Sequence, residues 1–262
     1  MNYSLFRLMA VDSLTIKILG SGTSTGVPQI GCQCEVCQSS DPHDKRLRQS
    51  ALVTYQGKNI LIDCGPDFRQ QMLSCGSPHL DALLITHIHH DHIAGLEELR
   101  GFDNLPIFAR GDVIKALHER LAYCFAESPY PGVPRLDLVE IDDIHPFDCA
   151  GINVEPIPVM HYRLPILGFR IGPLAYITDC KTIADEQVDK LRDVPLLVIN
   201  ALRITEHISH LSLSQALGII NRVKPGRAVL VHMSHDMGFH EKVSKMLPPN
   251  VELAYDGLMV EI

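Results

Sequence analysis

The stretch ALLITHIHHDHIAGLEEL sets His87, His89, His90, Asp91 and His92 directly behind an apolar run. His87 and His89 stand two residues apart. Alternate residues of an extended segment point the same way, so this pair can converge on one ion. As the chain turns into a helix, Asp91 and His92 can swing towards a second ion close by, while His90 should point elsewhere. Neutral imidazoles and a carboxylate suit zinc, manganese or iron. The alternative is a polar turn whose histidines meet only solvent. Burying such groups unpaired costs several kcal/mol, which weighs against it.

A second constellation lies in GSGTSTGVPQIGCQCEVC, where Cys32, Cys34 and Cys37 form a C-x-C-x-x-C loop. Three thiolates on one short loop are three of the four tetrahedral ligands that a structural zinc takes, and Cys3His is a common set. A redox pair or three free thiols are the competing readings. No N-terminal secretion signal is read in MNYSLFRLMAVDSLTIKIL, so the eight cysteines are thiols or ligands before they are disulfides. The other five are scattered and read as small buried apolar groups.

These groups need strands and helices to hold them. Strand-like runs fall at 14–19, 51–55, 59–63, 82–86, 106–110, 152–159, 167–171, 174–178, 196–200, 228–233 and 251–255. Several are apolar throughout, as in strands buried on both faces. Helical spacing falls at 66–73, 111–125, 185–193, 212–223 and 240–247. Neighbouring strands come early and helices separate the later ones, which predicts sheets covered by helices with loops at strand ends free for a site. The proline-rich segment 127–136 reads as a surface loop, either overhanging a site or simply connecting. No internal repeat or low-complexity tract is apparent.

The chain has 262 residues, 46% hydrophobic and 21% charged, which suits a soluble protein with a sizeable core. No apolar run reaches the roughly 18 residues that would span a bilayer, and a cytoplasmic place is the default. A net charge of −8 argues against a broad basic surface for nucleic acid, leaving a local groove open.

THIHHDH resembles the HxHxDH signature of the metallo-β-lactamase superfamily, and later residues fall in that family's order: His161 in PIPVMHYR, Asp179 in LAYITDC and His232 after AVLV. The resemblance implies a four-layer αββα sandwich formed by residues 1–262 as one hydrolase domain, with 1–12 as an N-terminal extension. It implies that His87, His89 and His161 hold one divalent ion, that Asp91, His92 and His232 hold the other, and that Asp179 bridges them. Zinc, manganese and iron all remain candidates. Two such ions suit hydrolysis of a phosphate ester, because they lower the pKa of a water between them and stabilise phosphoryl charge. Asp63, in NILIDCGPD, matches a strand-end aspartate of the pattern and is expected to orient a metal-bound histidine or water; capping helix 66–73 is its other reading.

The glycine loop with Gly20, Gly22, Gly26 and Pro28, the cysteine loop and HMSH at 232–235 are together similar to the branch of the phosphodiesterase of the carbon–phosphorus lyase pathway and ribonuclease Z. His235, three residues after His232, is the candidate fourth ligand for a structural zinc. The pyrroloquinoline-quinone biosynthesis protein of this fold has a similar loop, so the loop alone does not fix the substrate. In HISHLSLSQAL, the branch implies that His210 protonates a leaving oxygen or stabilises phosphate. His207 competes for that role, and a helix-capping segment led by Ser212 is the bland reading.

The activity expected is metal-dependent hydrolysis of a small phosphodiester, linear or cyclic. Ribonuclease Z-like tRNA processing is the alternative, though the glycine- and lysine-rich arm expected for it is not visible. A thioesterase of the glyoxalase II type lacks the cysteine loop and His210. A non-catalytic metal-binding biosynthetic accessory is the last alternative. The resemblance is compatible with a homodimer. Arg46 and Arg48 read as a solvated charge run, with a phosphate contact as the other option.

Overall fold

A computed structural model describes residues 13–262, so the proposed extension at 1–12 lies outside the described residues. The first half supplies β1 (Thr15–Gly20), β2 (Ser50–Tyr55), β3 (Lys58–Ile62), β4 (Ala82–Leu84), β5 (Pro106–Arg110) and β6 (Asp137–Ile141). The second supplies β7 (Phe147–Cys149), β8 (Ile152–His161), β9 (Leu164–Ile171), β10 (Leu174–Ile177), β11 (Leu196–Asn200), β12 (Arg227–Val231) and β13 (Val251–Leu253). The last strand, β14 (Met259–Glu261), returns to pair with β1. Among the described residues two seven-stranded sheets result, ordered β14-β1-β2-β3-β4-β5-β6 and β13-β12-β11-β10-β9-β8-β7.

Side-chain alternation explains how the sheets stack. Ile16, Ile18, Ile60, Ile62 and Leu84 turn inward and join one core with the second sheet, whereas Leu19, Leu52, Leu61 and Leu83 turn outward. The outward set is covered by α2 (Phe68–Ser74), α3 (His90–Ile93) and α4 (Gly111–Arg120) through Phe68, Met72, Ile93, Val113 and Leu117. The outer face of the second sheet is covered by α5 (Asp185–Lys190), α6 (Leu213–Val223) and α7 (His240–Ser244), through Val188, Ala216, Ile220 and Val243. The remaining helix, α1 (Glu35–Gln38), is a single turn on the cysteine loop. This is the αββα sandwich that the resemblance implied. Strands such as β11, buried at every position, owe their continuous apolar run to cover on both faces.

The pairing repeats. Strands β1 to β6 and β8 to β13 share one order and one set of senses: two antiparallel pairings, then three parallel ones. The sequence shows no such repeat, because pairing is a backbone property that survives when side chains diverge. Among the described residues no helix is long and apolar enough to cross a membrane.

Three short strands escape the sequence pattern: β6, β7 and β14. All three are sheet edges, where pairing is one-sided and the apolar signal weak. The helical run expected over 111–125 ends at Arg120 and continues as a 3-10 turn at Ala122–Phe125. Segment 127–136 has no regular structure.

Candidate metal centres

Parallel strands end side by side, and the site sits at those ends. Asp63 follows β3, Thr86 and His87 follow β4, and α3 then presents Asp91 and His92. From the second sheet come His161 at the tip of β8, Asp179 after β10 and His232 after β12. Asp63, Asp179 and His232 all adopt left-handed backbone, with φ of 62°, 55° and 59°. Asp63 and Asp179 each follow the third strand of their repeat. Left-handed residues other than glycine are uncommon, and they hold these side chains across the strand ends. Gly65 serves the same geometry by close approach, since a Cβ there would lie 2.0 Å from the Asp91 carbonyl oxygen.

The expected residues come together in two overlapping groups. His87, His89 and His161 offer nitrogens within 4.8 Å of one another, and so do the ligand atoms of Asp91, His92, Asp179 and His232. All seven are buried except His89, which is partly exposed at the mouth. His90 is exposed and belongs to neither group.

Hydrogen bonds behind the imidazoles fix which nitrogen faces inward. The His92 Nδ1–H donates to Asp63 Oδ2 at 2.7 Å, and His161 Nδ1–H donates to the Ser209 carbonyl at 2.8 Å. Thr86 Oγ1 donates to Asp63 and lies 3.0 Å from His87 Nδ1, placing that ring's proton on Nδ1 as well. Each ring therefore turns an Nε2 lone pair into the site, the arrangement that outer partners impose on metal-binding histidines. Asp63 thus braces His92 and Thr86, and its side chain caps no helix.

The convergence is unfavourable without a cation. His92 Nε2 lies 3.1 Å from Asp91 Oδ2 and 3.2 Å from Asp179 Oδ2, yet makes no hydrogen bond to either. His232 Nε2 lies 3.1 Å from Asp179 Oδ1. Buried acceptors that face one another need positive charge between them. The acid–base balance shows the same demand. Burial disfavours a charged His92 ring, but Asp91, Asp63 and Asp179 hold it well above the ordinary histidine range. Against its own burial penalty, Asp179 is held well below the usual carboxylate range by His232 and His92. Burial pushes His87 and His232 down from the ordinary histidine range. The donor set fits divalent ions bound by nitrogen and oxygen.

His210 joins this cluster: its Nδ1 lies 3.6 Å from Asp179 Oδ1 with no hydrogen-bond partner, and its ring centroid is 4.5 Å from that of His161. Burial pushes its pKa down to about 3, despite the pull of Asp179. His207 instead bonds to Ser209. Ser212 does cap α6, in a capping box with Gln215, so capping and His210 are separate features of one segment.

The cysteine loop forms the other cluster. His235 Nδ1 lies 3.2 Å from Cys32 Sγ, 3.2 Å from Cys34 Sγ and 3.5 Å from Cys37 Sγ. One nitrogen nearly equidistant from three sulfurs is the apex of a tetrahedron. Zinc bonds of ordinary length would set that edge at about 3.6 Å. The Cys37 backbone N–H, followed by His235 and the other thiols, draws the Cys34 thiol down to about 6, while burial pushes Cys37 up to about 11.

Arg46 and Arg48 depart from the solvated charge run that the sequence suggests. Arg46 is 5% exposed and donates to Ser21 Oγ and the Ala254 carbonyl, and Arg48 pairs with Asp67 at 3.0 Å. Both are bonded into the fold rather than standing in a solvated run. Four supporting groups were not anticipated: Thr86, Thr178, Asn200 and the Ser209 carbonyl. Thr178 donates to Asp179 Oδ2 at 2.7 Å, and Asn200 brackets both backbone groups of Cys180. Thr86 and Thr178 directly precede an expected ligand in sequence, which is the one signal that would have found them.

This chain belongs to the beta-lactamase superfamily, whose domain matches residues 58–233. Among solved structures, a diphosphatase from the PhnP family is 38% identical, with a TM-score of 0.88 over 95% of this chain and 97% of that one. Two others share the fold at lower identity. Zn(2+)-bound PqqB from Methylobacterium extorquens is 19% identical, TM-score 0.79, over 95% of this chain and 100% of that one. The short form of human tRNase Z is 18% identical, TM-score 0.66, over 94% and 98%. A protein of Porphyromonas gingivalis named octanoyltransferase is 48% identical over 92% of this chain, but the chain spans only 50% of its length.

Proposed function

We propose that this chain is a metal-dependent phosphodiesterase acting on a small, linear or cyclic, phosphodiester. The observation that carries the reading is the convergence of His92 Nε2, Asp91 Oδ2 and Asp179 Oδ2 without hydrogen bonds between them. In this reading His87, His89 and His161 hold one ion, Asp91, His92 and His232 hold a second, and Asp179 serves both. When bound, such a pair supplies Lewis-acid charge to a phosphoryl group and makes a nearby water acidic. Zinc, manganese and iron all suit the donors. A third ion, zinc, sits among Cys32, Cys34, Cys37 and His235 and has no open position for substrate.

The protein's own groups set the rest. Asp63, Thr86 and the Ser209 carbonyl hold protons at the Nδ1 atoms of His92, His87 and His161, so those rings cannot turn. His210, at the edge of the cluster with an unpaired Nδ1, meets the substrate's phosphoryl or leaving oxygen. The diphosphatase likeness supports phosphoryl chemistry. The net charge of −8 disfavours tRNA, which a tRNase Z likeness of 18% identity does not outweigh. The octanoyltransferase name belongs to a protein twice this chain's span, so acyl transfer is not carried over. A cytoplasmic place suits free thiols.

The test is hydrolysis of bis(p-nitrophenyl) phosphate by protein loaded with zinc or manganese. Turnover should vanish in Asp179→Ala and fall in His210→Ala. A fully metallated wild type without turnover would sink the reading and favour a non-catalytic metal role.

A further inference from the structure

A cavity of about 650 Å³ lies apart from the clustered histidines, between β1, the foot of the cysteine loop and α2. No candidate metal ligand lines it. Its volume falls in the range of small-molecule sites, about 300–1,000 Å³. Lys17, Lys45 and Arg46 face it, against a single carboxylate, Asp256.

That carboxylate is already committed. Asp256 accepts from the Ser21 backbone N–H, from Ser21 Oγ and from the Leu47 backbone N–H, at 2.6–2.8 Å. It reaches Arg46 only through the Ser21 hydroxyl. Arg46 is buried, and its hydrogen bonds go to neutral acceptors: Ser21 Oγ, the Ala254 carbonyl and His240 Nδ1. Among the described residues no carboxylate oxygen lies within 4.0 Å of its nitrogens. Lys45 Nζ likewise donates to a neutral group, the Cys37 carbonyl, at 3.2 Å. The charges of Asp256, Asp44 and Asp41 balance Arg46 at longer range, so Lys17 and Lys45 are the lining cations without an ion-pair partner among the described residues.

We propose that this cavity is a second binding site, separate from the metal centres, for a small organic phosphate monoester. The donors favour phosphate over carboxylate: the Lys17 and Lys45 ammonium groups and the Gln70 amide, with the Arg46 charge behind them, outnumber what two oxygens accept. Leu19 and Leu47 give the ligand's organic body an apolar wall. The site stands whether or not the chain hydrolyses phosphodiesters.

The probe is phenylphosphonate, a stable anion with an apolar ring, titrated calorimetrically into the fully metallated chain. Wild type should bind it at two sites, one at the metal centre and one here. Asp179→Ala should keep the second site alone. The partly exposed pair Lys17→Glu/Gln70→Glu should keep the metal-centre site and weaken the other about tenfold or more, with turnover unchanged as the check on folding. Lys17→Arg should restore it. A single site that disappears in Asp179→Ala, or a second site untouched by the charge reversal, would overturn the proposal, and so would no binding at all.

Discussion

The two candidate metal clusters are built in opposite ways. Cys32, Cys34 and Cys37 lie within one loop, meet one histidine from afar, and leave Cys34 exposed. The histidine–aspartate cluster draws on the ends of four strands from both sheets, and Asp91, His92, Asp179 and His232 are all buried. A loop can arrange thiolates by spacing alone. A buried group of imidazoles and carboxylates instead needs the fold to set every backbone angle, and needs Asp63, Thr86, Thr178 and the Ser209 carbonyl behind it. The two clusters should therefore fail differently when disturbed.

The largest effect should come from the backbone contact under α3. Gly65→Ala places a Cβ where the Asp91 carbonyl stands, so α3 must move. Displacements of about 1 Å cost on the order of a hundredfold in rate. Steady-state kinetics should show that loss while zinc at the cysteine cluster remains. Next in size is Asp63→Asn, which removes the carboxylate that receives the His92 Nδ1 proton. Affinity for the buried metals, read by competition with a chelator, should fall about 10–100-fold. A smaller effect is expected at the exposed cluster: Cys37→Ser should release zinc and lower the melting temperature by several degrees, about 2–4 °C per kcal/mol lost. Turnover per bound metal pair should persist, and a loss as large as that of Gly65→Ala would erase the distinction.

The smallest effect concerns the support of the cysteine loop. His240 Nδ1 accepts from Arg46 Nη2 at 3.3 Å, and burial, then Arg46, push this histidine down to about 4. The unfolded chain binds its proton nearer pH 6.5, so stability falls as pH drops through the window from about 6.5 to 4. Thermal melts at pH 7 and 5 should show a drop that shrinks in His240→Gln.

Legibility follows the same division. Among the candidate ligands, His87 was readable from the His/Asp cluster behind ALLIT, whereas Asp179 after LAYIT and His232 after AVLV are ambiguous singly and stood out only through the order of the superfamily they resemble. Interior strands were readable as apolar runs, while β6, β7 and β14 at sheet edges were not; the fourth edge, β13, was readable because VELAY keeps its apolar residues. The outer supports were largely illegible. Asn200 and the Ser209 carbonyl act through contacts that span 20 and 48 residues, which no local pattern records. Arg46 and Arg48 misled because DKRLRQS looks like surface charge, yet the loop folds inward and buries Arg46.

Metal content per chain should be measured on wild type and Asp179→Ala, purified alike and dialysed against metal-free buffer. A buried metal pair beside a cysteine-loop zinc predicts about three ions in wild type and about one, zinc, in the variant. A variant that keeps the full complement, or a wild type that binds only the zinc at its cysteine loop, would contradict it.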